Sequence, residues 1–204
     1  IGTPKTGTTS LQAFLTEHAA ALEARGVIYP AVGRTHRGKH HSLKAELRST
    51  VGLGGPAWQE LRELRNSKPD HRVLISEESF YYLEPTALTK LRELAGEGPV
   101  TILVYFRDYA AHAASLYAQG TKLARGLVDG DVLGTKAGNE LVDFDTFFER
   151  YMAKPSHFDI ISRWASVFGW ESIRVRPYKR DLLVGGDIIA DLLDLLGLSL
   201  EGLG

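Results

Sequence analysis

Cysteine is absent from this chain. No disulfide can close a loop and no thiolate can bind a metal, so a disulfide scaffold and a cysteine zinc site are both excluded. The absence fits a reducing compartment, and the expected location is cytoplasmic. Long apolar runs are lacking too. None approaches the ~20 residues that a membrane-spanning helix needs, and no signal-peptide pattern is visible. Neither sign of charge is in excess: 24 Lys plus Arg stand against 25 Asp plus Glu, a formal net charge of −1. No global field therefore argues for nucleic acid or an anionic membrane, although a mean charge says nothing about a cleft. Repeats and low-complexity tracts are missing as well.

What remains is the composition of an ordinary globular domain, 44% hydrophobic and 24% charged over 204 residues. That length suits one domain with a sizeable core, and residues 1–204 are read as one. The chain opens at Ile1 directly on a glycine-rich motif and stops at Gly204. This reads as a fragment trimmed at both ends, with the strand that should precede the motif almost wholly missing.

Periodicity supplies the elements. Leu11, Phe14, Leu15, Ala19 and Leu22 recur at helical spacing, and Gly26 ends that helix. Val27 to Tyr29 is a short strand stopped by Pro30. A polar stretch with His36, His40 and His41 leads into a short helix at Leu43 to Leu47, and Trp58 to Leu64 is helical. Arg72 to Ser76 is a strand ending in two carboxylates, Glu77 and Glu78. A helix follows over Pro85 to Leu94. Val100 to Phe106 is the strongest strand, continuously apolar as a parallel strand covered on both faces should be. It runs into Arg107, Asp108 and a helix to about Leu123. Arg125 to Glu140 is glycine-rich and reads as a mobile surface loop. Helices near Phe144 to Met152 and Phe158 to Phe168, a strand at Ser172 to Arg176 and a helix over Asp187 to Leu196 complete the chain. Strands alternating with helices imply a three-layer α/β/α domain with a mostly parallel central sheet, like that of P-loop nucleoside triphosphate hydrolases.

The first motif is GTPKTGTTS, Gly2 to Ser10. Its glycines have the separation of a Walker A loop, and the physics is shared: backbone N–H groups at a helix start form an anion cradle that the helix dipole reinforces. The lysine is displaced. A nucleotide hydrolase places it directly after the second glycine, where this chain has Thr8, and here it stands inside the loop at Lys5. PKTGTTSLQ closely resembles the 5′-phosphosulfate loop of sulfotransferases that use 3′-phosphoadenosine 5′-phosphosulfate (PAPS). The resemblance implies that Lys5 meets the oxygen bridging phosphate and sulfate and stabilises the leaving group. It also implies that Thr6, Gly7, Thr8, Thr9 and Ser10 hold the 5′-phosphate.

YFRDYAAHAASLYAQ resembles the same family's 3′-phosphate motif, with Arg107 at a strand end and Ser115 on the following helix. Binding crevices open at the carboxyl ends of such strands, and an arginine fork suits a dianion. Asp108 is expected to cap the helix, since sulfuryl transfer requires no metal. A weaker likeness in SIRVRPYKRDLL and the helix behind it carries no assignable chemistry. The family's later glycine-rich segment, which closes over the nucleoside, is not recognisable.

The implied reaction moves a sulfuryl group from PAPS to a hydroxyl or amine. The acceptor is a small molecule or carbohydrate, with Arg37 and Lys39 suited to steering an anionic one. A P-loop kinase or nucleotide-binding protein is the alternative. The reaction needs a base, and four residues qualify: His41, Glu77, His40 and Glu78. Where cytosolic members of the family carry a lysine-threonine-histidine run, this chain has Ser76-Glu77-Glu78. No metal is expected at the histidines, which lack a carboxylate at ligand spacing. Phe80, Tyr81 and Tyr82 are either an acceptor platform or core packing.

Overall fold

The computed structural model describes residues 6–49, 51–96, 98–124, 136–137 and 140–202. Lys5, and most of the segment Arg125 to Glu140, lie outside the described residues. The chain is mixed α/β, rich in helix, with small parallel sheets. In order it forms α1 (Thr8–Glu17), α2 (Ala19–Glu23), β1 (Val27–Ile28), α3 (His41–Arg48), α4 (Pro56–Ser67), β2 (Arg72–Val73), α5 (Pro85–Ala95), β3 (Ile102–Phe106) and α6 (Tyr109–Ala124). There follow β4 (Lys136–Ala137), β5 (Glu140–Leu141), α7 (Phe144–Met152), α8 (His157–Phe168), β6 (Ile173–Pro177) and α9 (Ile188–Leu195).

Strands β1 and β2 pair in parallel, as do β3 and β6, while β4 and β5 form a short antiparallel pair. The β3–β6 ladder runs from Ile102 opposite Ile173 to Phe106 opposite Pro177. The first ladder is shorter than the sequence suggests. Leu74 still donates to Ile28 O at 2.9 Å, but Ser76 O then accepts from the His40 N–H at 2.9 Å instead. The second strand thus leaves its neighbour to bind the turn before α3.

Alternation along the strands divides the core in two. Val73, Ile75, Ile102, Val104 and Phe106 pack with Leu43, Trp58, Leu88 and Trp164, from α3, α4, α5 and α8. Leu74, Leu103 and Tyr105 pack with Leu11, Leu15, Ile188 and Leu192, from α1 and α9. Helices therefore cover both faces of the strands. Each fully buried leucine contributes roughly 1.5–3 kcal/mol, which is why these stripes dictate the architecture. A third cluster, Ala113, Phe147 and Tyr151, joins α6 to α7.

Local signals set most boundaries. Ser156 and Asp159 form a capping box that starts α8. Asp143 caps α7 by accepting from the Thr146 N–H at 2.8 Å. The first helix is not continuous to Leu22. At His18 the backbone leaves the helix (φ −101°, ψ 17°), and α2 resumes after it. A bidentate pair between the partly exposed Arg176 and the buried Asp191 ties β6 to α9. Arg176 donates to Asp191 at 2.8 and 3.1 Å, and the Tyr105 hydroxyl donates to the same carboxylate at 2.8 Å. Among the described residues no helix is long and apolar enough to cross a membrane.

Candidate functional site

The site grows from Gly7. Its φ of 70° lies in the left-handed region, which glycine occupies without strain, and it turns the chain into α1. Gly7 O accepts the first helical bond, from Leu11 N–H at 3.2 Å. No side chain caps the helix there. The N–H groups of its first turn, Thr8 to Ser10, belong to the positive end of the helix dipole. Thr6 and Thr8 are buried, while Thr9 and Ser10 are exposed.

Gly7 is required for a second reason. A Cβ built there would stand 2.7 Å from the Tyr178 hydroxyl. Tyr178 follows β6, and its N–H donates to Phe106 O at 2.5 Å, directly before Arg107. One residue thus touches the glycine turn and the end of β3 together.

A cleft of about 540 Å³ opens beside this turn. Gly7, Thr8 and Thr9 form one side, and Arg107 with Ser115 forms another. The two stretches singled out in the sequence, from opposite halves of the chain, therefore share one cavity. Gln12, Arg37, Lys39, Glu78 and Gln119 complete the lining. Ser10 and Thr6 are not on it. Asp108 caps α6 as expected, accepting from the Ala111 N–H at 2.9 Å.

The four base candidates part company. His40 is buried; Nε2 faces Pro30 O at 3.0 Å and Nδ1 faces the Ser76 N–H at 3.2 Å. Burial lowers its pKa, so it is a neutral ring bonded to backbone at both nitrogens. His41 sits at the start of α3 with its side chain 54% exposed, its Nδ1 3.9 Å from the 2%-exposed Glu77. Glu77 turns inward and accepts from the Ser79 N–H at 3.1 Å, starting a 3₁₀ turn over Glu78–Tyr82. Its Oε2 has no hydrogen-bond partner among the described residues. Glu78 faces the cleft, where it accepts a hydrogen bond from the Thr8 hydroxyl. Phe80 and Tyr81 are core residues and Tyr82 is exposed; none lines the cleft.

Sequence reasoning missed the support behind Arg107. The His157 ring lies between Phe106 and Tyr109, stacked on each at 4.2 Å. The backbone N–H of His157 donates to the Tyr109 hydroxyl at 2.5 Å, and the ring Nδ1 meets the Tyr81 hydroxyl at 2.7 Å. Burial lowers the His157 pKa, opposed only in part by the Arg107 backbone. The turn that carries Arg107 is thereby held from both flanks. Only the spacing of aromatics around FRDY hinted at this. Among the described residues no group of three or more His, Asp or Glu is placed to hold a metal.

Compared with known proteins, the chain matches no family model, no curated protein and no solved structure.

Proposed function

We propose that the chain is a PAPS-dependent sulfotransferase built on a three-layer α/β/α fold with a mostly parallel sheet. One observation carries the reading: the glycine turn and first-turn residues of α1 share a cleft with Arg107 and Ser115. A nucleotide bearing phosphates at both its 5′ and 3′ ends needs two anion sites in one cavity, and this arrangement offers them. Helices on both faces of the parallel strands support the fold.

In the proposed reaction the acceptor oxygen forms a bond to sulfur as the bond from sulfur to the bridging oxygen breaks. That oxygen leaves on adenosine 3′,5′-bisphosphate. Lys5, whose part rests on the sequence resemblance, neutralises the charge that grows there. Gly7, Thr8 and Thr9 hold the 5′ end, and Arg107 with Ser115 holds the 3′-phosphate. Glu78 takes the acceptor's proton, because it is the base candidate on the cleft wall.

The test is transfer of ³⁵S-sulfate from labelled PAPS to a mixed acceptor panel, beside binding of adenosine 3′,5′-bisphosphate and of ATP with magnesium. The reading expects bisphosphate binding without metal and labelled product. Preference for ATP, abolished by chelation, would favour a kinase and overturn it.

A further inference from the structure

The donor, on the reading above, uses the glycine turn at one end and Arg107 with Ser115 at the other. Two cations on the cleft wall are then left over, Arg37 and Lys39. Neither has an ion-pair partner among the described residues. They are not on a loose loop. Thr35 N–H donates to Lys39 O and Gly38 N–H to Thr35 O, each at 2.9 Å. The buried Tyr29 hydroxyl donates to Gly38 O at 2.7 Å. Next to this turn the backbone is fixed again by His40, bonded to Pro30 O and to Ser76. Gly38 has φ 83°, and a Cβ on it would come within 2.7 Å of Gln12 O on α1. The turn is thus seated on the helix that carries Thr8 and Thr9, as closely as a residue without a side chain permits.

The rest of the lining agrees in character. Gln12 and Gln119 are polar, and among the described residues no aromatic or branched aliphatic side chain lines the cavity. Sites for apolar ligands are lined mainly by such side chains. Among the described residues a flat phenol would find no aromatic partner here, since Phe80 and Tyr81 are committed to the core.

We infer that the acceptor is an anionic, polyhydroxylated molecule of the acidic-saccharide kind, its carboxylate or sulfate held by Arg37 and Lys39. This rests on the sulfotransferase reading. The cations guide the acceptor electrostatically and fix its register, while the amides of Gln12 and Gln119 replace part of its water.

The test uses the whole chain with saturating adenosine 3′,5′-bisphosphate and a fluorescent trigalacturonate, compared with its methyl ester. The acid should bind at least about tenfold tighter at low salt, with the advantage shrinking as ionic strength rises. The double variant Arg37→Gln, Lys39→Gln should erase that advantage and leave bisphosphate affinity within about threefold, since other residues are assigned to both of its phosphates. Equal binding of acid and ester, or binding of neither, overturns the inference. A parallel loss of bisphosphate affinity also overturns it, by giving the two cations to the donor. Should the wild-type chain bind no bisphosphate, the sulfotransferase reading fails first. The acid and ester are then compared without it, and a preference for the acid that survives the double variant would sink the role of the basic turn.

Discussion

On the proposed function the cleft binds anions, and a carboxylate on its wall repels them, so its presence calls for a use. Glu78 has one if it accepts the proton of the attacking hydroxyl. Glu78→Gln should then lower turnover by about 10²–10⁴-fold, with bisphosphate affinity unchanged or improved. Steady-state kinetics beside calorimetry separates the two, and equal loss in both would remove the role. Glu77→Gln should act differently, on stability, because Glu77 is buried and begins the 3₁₀ turn. Other buried groups make stability depend on pH. His40 and His157 have lowered pKa values, chiefly through burial. Their neutral forms are favoured in the fold, so stability is full above the ordinary histidine pKa of about 6.5 and falls as pH drops through it. Asp191 is lowered as well: burial raises its pKa, and the bonds from Arg176, Tyr105 and Val184 together outweigh that. Its contribution is present above the ordinary carboxylate pKa and is lost only as pH falls towards its lower folded value. Thermal melts across pH should show two separate declines. His157→Gln should blunt the first and Asp191→Asn the second; Asp191→Ala, which leaves the Tyr105 hydroxyl and a partly exposed arginine without their acceptor, should cost about 1–3 kcal/mol.

At the scale of elements, the start of α1 and the exit of β6 act together. Gly7→Ala forces a side chain into the left-handed region, at roughly 1–2 kcal/mol, and drives it against the Tyr178 hydroxyl. It should therefore weaken bisphosphate binding. Tyr178→Ala leaves Gly7 unstrained and removes the brace between turn and β3. Bisphosphate affinity should drop more than affinity for the 5′-monophosphate, because only the former needs both anchors in register. Elements with strong local signals were legible in the sequence. β3 is apolar throughout, α8 starts at a capping box, and α9 follows Asp187, whose carboxylate accepts from the Ile189 N–H at 2.8 Å. The break of α1 at His18 was not, since nothing in TEHAA forbids a helix. Nor was the early end of β2, which is set by His40 binding Ser76 across the chain.

Across the whole molecule the net charge of −1 conceals a local imbalance. Among the described residues, Arg37, Lys39 and Arg107 share the cleft with one carboxylate, Glu78. The two stretches proposed to hold phosphates could be singled out in the sequence because each is contiguous. The walls between them were not: Gln12, Glu78 and the turn at 35–39 come together only through tertiary packing, and so does the contact of Tyr178 with Gly7. The separation of Glu77 from Glu78, adjacent in sequence and facing opposite ways, likewise needs the 3₁₀ turn. On the proposed function, one cavity binds both phosphates of a single nucleotide. Calorimetry of adenosine 3′,5′-bisphosphate against adenosine 5′-monophosphate, on the wild-type chain and on Arg107→Ala, tests it most directly. The wild type should prefer the bisphosphate by at least about tenfold, and Arg107→Ala should lose that preference, with the same monophosphate affinity in both. Equal affinity for the two nucleotides in the wild type, or a preference that persists without Arg107, would contradict it.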